Sequence, residues 1–333
     1  MPKLMPKLMP KPNTGLRLAA VAAACGLLAG CGLESNFALP LDVLPGPEAV
    51  RADLTDVRIV VGSKDFTEQI IIGHLTEFLL AAAGADVVDL TNIQGSNSSR
   101  QALLSGDIDV QWEYTGTAWV SYLARSTPIP DEREQFEAVR EADRANGLEW
   151  LDYAELNNTY AFAMRKPVAE ELGITTTSQL AEVIRKDPGQ GVFCLETEFI
   201  SRDDGFPGVQ KAYGFSVPPG NVKIFGAGAV YQALANGACA IGEVTTTDGR
   251  NLALDLAIIE DDRKFFPQYN VAPVIRTDFL AEHPQLRPIL QPQVERLDNE
   301  TMQRLSAQVD VDGADPVEVA RDFLLGEGLI TLP

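Results

Sequence analysis

From Val57 onward, short apolar runs alternate with amphipathic stretches. Val57, Ile59, Val60 and Val61 form a β-rich run and Gly62 to Asp65 a polar turn. Ile70, Ile71, Leu75, Phe78, Leu79 and Ala82 then recur at helical spacing until Gly84 closes the helix. The unit repeats: a strand from Val87 to Leu90, a turn from Gly95 to Ser98, a short helix to Ser105 before Gly106, and a strand from Ile108 to Trp112. Positions 131–145 form a charged helix with Phe136 and Val139 on one side, and Trp150 to Leu156 leads to Asn157-Asn158-Thr159. A second set follows, with strands at 160–164, 191–195, 222–225 and 239–244 and helices at 178–186, 207–213 and 229–236. Ser178 carries N-cap chemistry for its helix. Phe266 to Tyr269 precedes a strand at 271–275, and three helix-like segments finish the chain.

Strand, turn and helix in rotation define the α/β class. Two such sets joined twice predict two lobes around a cleft: residues 57–156 with 268–333, and residues 157–267. A cleft of this kind can close by hinge motion. Turns after strand C-terminal ends are where open α/β sheets bind ligands, and Lys64 and Asn97 sit in such turns.

The first thirty residues have a different character. Lys3, Lys7, Lys11 and Arg17 occur with no acid, before an apolar run from Leu18 to Leu28 and the sequence Leu28-Ala29-Gly30-Cys31. Eleven helical residues rise about 16 Å against a bilayer core of about 30 Å, so this is a secretory leader rather than a spanning segment. Ala29-Gly30-Cys31 resembles the lipobox of bacterial lipoproteins, which implies acylation of Cys31, removal of residues 1–30 and a membrane anchor outside the cytoplasm. An ordinary signal peptide with an incidental Cys31 is the alternative. Residues 31–56, with Pro40, Pro45, Gly46 and Pro47 and no period, are expected to be a tether outside the fold.

The chain of 333 residues carries 27 Lys and Arg against 47 Asp and Glu, a net charge of −20. The leader holds four of the basic residues, so the rest stands at −24. Such an excess disfavours nucleic acid and other anionic partners and leaves neutral, zwitterionic and cationic ligands open. His74 and His283 are the only histidines, and no CxxC, HxxxH or HExxH spacing occurs, so no metal centre or cofactor is expected. Both histidines read as structural. Asp310 to Asp315 lacks the glycine position and final Glu of an EF-hand loop and reads as a turn and helix cap. Asp107, Asp109 and Glu113 alternate along one strand, the sole feature that fits a carboxylate-pair hydrolase. Cys194 and Cys239 are the thiols left after processing, each on an expected strand, and outside the cytoplasm they are predicted to form one disulfide. Two buried free thiols are the alternative.

Four ordered motifs, GSKDFTEQ from Gly62, EYTGT from Glu113, EFISRDDGFP from Glu198 and TTDGR from Thr246, resemble the osmoprotectant substrate-binding proteins of ABC transporters. The likeness runs from about Val57 to the C-terminus. It implies a two-lobed periplasmic-binding-protein-like fold of type II. It also implies a non-enzymatic role: a monomer that captures glycine betaine, choline or a related quaternary-ammonium solute and hands it to a permease and its ATPase. A trimethylammonium has no N–H to donate, so aromatic faces recognise it, at up to ~2 kcal/mol per desolvated ring. A carboxylate end calls for Arg or Lys.

Carried over by motif, the resemblance implies Lys64 as a ligand or interlobe charge, Tyr114 as a cage wall and Thr117 as a donor. It further implies Asn158 beside a second ring at Tyr160, Arg202 as the carboxylate partner, and Tyr269 as a further ring. Arg202 has the alternative of an ion pair with Asp203 or Asp204. Where the family usually completes the cage with an aromatic residue, this chain has Thr245, with Glu243 nearby. The expectation is therefore a different or larger betaine-like ligand, with Phe225, Phe266, Trp112 or Trp119 as candidate substitute rings. A ligand-binding sensor of the same fold is the rival function.

Overall fold

The computed structural model describes residues 41–125, 127 and 129–333; the leader and Cys31 lie outside the described residues. In chain order the elements begin with β1 (Leu44–Pro45), β2 (Arg58–Lys64), α1 (Thr67–Ala82), β3 (Asp86–Ile93), α2 (Ser96–Ser105) and β4 (Val110–Tyr114). A helical turn at Thr115–Thr117 continues into a π-helical one at Ala118–Tyr122, then α3 (Glu132–Asp143) and β5 (Leu148–Trp150). The second lobe holds β6 (Tyr160–Arg165), α4 (Lys166–Leu172), α5 (Thr177–Lys186), β7 (Phe193–Glu196), α6 (Phe206–Tyr213), β8 (Val222–Phe225), α7 (Ala227–Ala235), β9 (Ile241–Thr245) and β10 (Leu256–Ile259). The chain returns through β11 (Val271–Arg276), α8 (Thr277–Glu282), α9 (Leu286–Val294), α10 (Asn299–Asp310), α11 (Pro316–Gly326) and β12 (Ile330–Thr331).

Each lobe is one five-stranded mixed sheet, in the orders β3-β2-β4-β11-β5 and β10-β6-β9-β7-β8. β2 runs parallel to β3 and β4, whereas β11, which arrives from the other lobe, is antiparallel to β4 and β5. The second lobe mirrors this: β6, fresh from its crossing, is antiparallel to β9 and β10, and β7 is parallel to β8 and β9. This is the two-lobed α/β architecture that the alternating pattern implies.

α1 is buried from Ile71 through Leu80 because sheet and helices enclose it on opposite sides. Ile71, Leu75 and Phe78 share a cluster with Val61, Val110 and Trp112 of the sheet and with Leu290, Leu305 and Leu324 of the last three helices. A helix with apolar residues on more than one face is stable only when covered this way. The C-terminal segments do return to the first lobe, as four helices rather than three. His283 ends α8, and Pro284 splits what reads as one segment into two. Similarly, the second-lobe helix expected to start at Ser178 is capped two residues earlier: Thr176 accepts from Gln179 N–H while the Gln179 side chain accepts from Thr176 N–H. That reciprocal capping box outcompetes Ser178.

The tether is corrected over residues 41–56. β1 pairs with β12 at the far end of the chain, and Val43 and Leu54 sit in the first-lobe core. A two-residue pairing between sequence ends has no local period, and its Pro and Gly residues carry a linker composition. Asp315 caps α11 by accepting from Val317 N–H, as expected of a turn and cap.

Cys194 on β7 and Cys239 after α7 are disulfide-bonded across a separation of 45 residues. Closing such a loop restrains the unfolded chain by about 4 kcal/mol on the chain-entropy model. Reduction, or Cys239→Ser, is expected to lower the melting temperature by roughly 5–10 °C without changing the secondary structure. Calorimetry with and without reductant checks this.

Candidate functional site

The two crossings run side by side as an antiparallel bridge, Asn157 opposite Asn270. Tyr269 N–H donates to Asn157 Oδ1 at 2.9 Å and Asn158 N–H to Tyr269 O at 3.3 Å. Across the cleft the lobes touch. Ser96 N–H donates to Glu198 at 3.1 Å, and Gln303 of α10 donates to Thr246 O at 2.8 Å. Gly249 of the TTDGR motif makes this approach possible, since a Cβ there would stand 2.7 Å from Ala307 Cβ and 3.0 Å from its nitrogen.

Strand ends deliver the charged groups. Lys64, closing β2, is buried, ion-paired to Glu113 at 2.5 Å, and lies 5.0 Å from the Tyr114 ring centroid. Tyr122 donates to the other Glu113 oxygen at 2.8 Å. Tyr114 ends β4, which runs two residues further than its apolar alternation indicates, and stacks 6.1 Å from Phe66. Its hydroxyl donates to Glu68 at 2.6 Å.

Glu68, in the first turn of α1, is the junction of the site. It accepts from Tyr114 of the first lobe, from Asn158 of the crossing at 3.0 Å, and from Thr247 of the second lobe at 2.7 Å. Burial pushes its carboxyl up, against the three hydrogen bonds. Among the described residues it forms no ion pair with Lys or Arg.

Arg202 is held between second-lobe acids and first-lobe Thr117. It is bidentate to Asp204, at 2.8 and 2.6 Å, and pairs with Glu198 at 2.8 Å. It also reaches the Thr117 hydroxyl at 3.4 Å. The ion-pair alternative is therefore realised, with Asp204 and not Asp203. Tyr269 donates to Asp204 at 2.6 Å, so the second crossing is tied into the same network.

The rings divide into two groups. Tyr160 meets Tyr269 edge-on at 5.3 Å, Phe199 at 4.9 Å and Phe266 at 5.9 Å, with the Arg202 guanidinium 5.6 Å from its centroid. Tyr114 stands with Lys64 and Phe66 on the other side of the Glu68 junction. Thr245 lies directly opposite Tyr160 in the β6–β9 register, but its N–H donates to the Tyr231 hydroxyl at 3.0 Å and its own hydroxyl lies 3.3 Å from the same atom. Of the candidate substitute rings, Phe266 joins the Tyr160 cluster. Trp112 donates to Thr76 inside the first-lobe core, Trp119 packs on a satellite cluster, and Phe225 lies against the far face of the second sheet.

Lys64, Tyr114, Thr117, Asn158, Arg202, Tyr160 and Tyr269 are linked through shared acids and ring contacts from both lobes and the crossings, whereas Thr245 is engaged by Tyr231. Glu68, Thr247, Asp204, Glu198, Tyr122 and Phe199 are additional members. Glu68 and Thr247 lie inside quoted motifs, yet an acid in a first helical turn reads as a surface group favoured by the helix dipole. The hydrolase reading loses its carboxylates to pairing: Asp109 accepts from Val60 N–H and binds Arg276, and Glu113 binds Lys64. Asn97 points to solvent on the first turn of α2.

Two lobes of mixed sheet, hinged on a double crossing and closed over rings and charges at their strand ends, define a two-lobed solute-binding protein. The chain belongs to the family described as the substrate binding domain of ABC-type glycine betaine transport systems, which it matches over residues 57–325. It is 39% identical over 269 residues to the glycine-betaine-binding protein of Pseudomonas aeruginosa, covering 79% of this chain and 86% of that one. It is 33% identical over 276 residues to the ergothioneine transport permease/ergothioneine binding protein EgtU of Helicobacter pylori, covering 81% of this chain and 48% of that longer one. A crystal structure titled as a glycine betaine/carnitine/choline ABC transporter superposes with a TM-score of 0.66 at 27% identity, covering 82% of this chain and 98% of that one.

Beside Arg202, burial and the charges of Glu196 and Glu198 hold the Glu243 carboxyl up to about 8. Between pH ~4.5 and ~8 the unfolded chain has released this proton while the native protein keeps it, so the group's contribution is full below ~4.5 and is lost as pH rises through 8. Glu243→Gln is expected to flatten the decline in stability across this window. Urea unfolding at pH 5, 6.5 and 8 checks this, with equal slopes in both proteins as the contrary result.

Proposed function

We propose that this chain captures a small quaternary-ammonium or betaine-type solute between its lobes and delivers it to its permease, leaving the solute chemically unchanged. The supporting observation is the charge balance of the cleft. Lys64 and Arg202 each face carboxylates of their own, and Glu68 adds a further enclosed carboxylate beside Tyr114. A permanent cation without an N–H suits aromatic faces and surplus negative charge. Tyr160 and Tyr269 from the crossings, and Tyr114 from the first lobe, offer those faces. A ligand carboxylate has to share Arg202 with Asp204 and Glu198, so the cationic end is the main determinant. Binding favours the closed arrangement because Glu68–Thr247 and Arg202–Thr117 join the two lobes only when they meet.

A larger betaine is the second reading. Thr245 leaves the wall opposite Tyr160 without a ring, and one relative is named for ergothioneine, itself a betaine. The direct test is calorimetric titration with glycine betaine, choline, carnitine, proline betaine and ergothioneine. At least one is expected to bind, and Tyr160→Ala to weaken it about 30-fold, the worth of a desolvated ring. No binding by any of the five, or undiminished binding by the variant, overturns the reading.

The leader and Leu28-Ala29-Gly30-Cys31 support a location outside the cytoplasm, with the monomeric chain held to the membrane through lipid on Cys31. Cys31→Ser is expected to move the protein from the membrane fraction to the soluble extracytoplasmic fraction.

A further inference from the structure

On the side of the first lobe where α1 meets the edge strand β3, His74 and Glu77 stand one turn apart with His74 Nδ1 2.7 Å from Glu77 Oε2. Val87, Asp89 and Thr91 of β3 lie on the strand face turned toward the helix. Val87 joins the α1 cluster, and Thr91 reaches Gly73, where a Cβ would come within 2.8 Å of the Thr91 methyl. This close approach sets Asp89, between them, against the two α1 side chains, so that one donor atom from each of the three lies within 4.8 Å of the others. Glu77 is fully buried, His74 is 4% exposed, and Asp89 is half-buried.

The cluster is only partly compensated from within. Glu77 Oε1 has no hydrogen-bond partner, although a buried carboxylate oxygen left unpaired is costly. His74 is the one ion-pair partner of Glu77 among the described residues, and Asp315 adds negative charge toward that imidazole. Asp89 accepts from Thr91 N–H of its own strand at 2.7 Å. One imidazole and two carboxylates without a thiolate form a donor set for zinc or manganese. Donor atoms around a tetrahedral zinc lie about 3.4 Å apart, so separations of up to 4.8 Å have to shorten while the 2.7 Å His74–Glu77 hydrogen bond gives way to the metal.

We propose that His74, Glu77 and Asp89 form a divalent transition-metal site that fastens α1 to β3, with its open coordination position reached from solvent past Asp89. No spacing along the chain announces it, because the third ligand comes from another element. The competing occupant is a proton on the ligand side chains. A metal has to displace it, so binding should release a proton and weaken as pH falls.

The test is titration of chelator-treated full-length protein with zinc chloride and with manganese chloride at pH 7.5, in buffers of different ionisation enthalpy. One ion per chain is expected, with proton release and a rise in melting temperature. Asp89→Asn and His74→Ala should each weaken binding at least tenfold while the betaine-type ligand binds as in wild type. Absence of one-to-one binding by the wild type overturns the site in favour of the proton. So does binding unaffected by both substitutions.

Discussion

The closed arrangement of this protein turns on one enclosed carboxylate. Glu68 comes from the first turn of a helix in one lobe, yet its oxygens are satisfied by a tyrosine of the same lobe, an asparagine of the crossing and a threonine of the other lobe. A buried carboxylate left with empty acceptor sites is expensive. When the lobes separate, the Thr247 donor departs and water must replace it, so closure and the state of this single group are coupled. Under the proposed function, a cationic guest beside it relieves the same cost from the other side.

Arg202 works by a different logic. Its guanidinium is fixed by Asp204 and Glu198 before any guest arrives, and Tyr269 braces Asp204 from the crossing. Breaking such a buried pair is costly, whereas its net contribution to stability is small. Its value lies in geometry: a cation held rigidly next to Tyr160, in reach of Thr117 across the cleft, fixes where the lobes meet. Lys64 is held in the same way on the other wall by Glu113, which Tyr122 braces.

Much of this was legible along the chain. The change of period from strand to helix marks both sets of elements, and the four motifs mark the four strand ends that feed the cleft. Tyr160 and Tyr269 flank the points where the apolar pattern breaks for the crossings. Other features were hidden for physical reasons. Residues 41–56 look like a tether because their partner, β12, lies at the opposite end of the sequence. The cap at Thr176 displaces Ser178 because a reciprocal pair of hydrogen bonds exceeds a single one. Thr245 reads as a free hydroxyl, whereas Tyr231 from the neighbouring helix already engages it.

The sequence by itself determined the class: two α/β lobes, an acidic composition and a family of solute binders, since each depends on local period, composition or contiguous motif. Only the tertiary structure decided which charges are already matched and which carboxylate is left at the junction. It also decided that His74 and Glu77 face Asp89, and which rings share the space around Tyr160. Those outcomes depend on distances between residues far apart in the chain, fixed by strand register and by the close approaches that Gly73 and Gly249 permit. Local propensity carries no record of such distances.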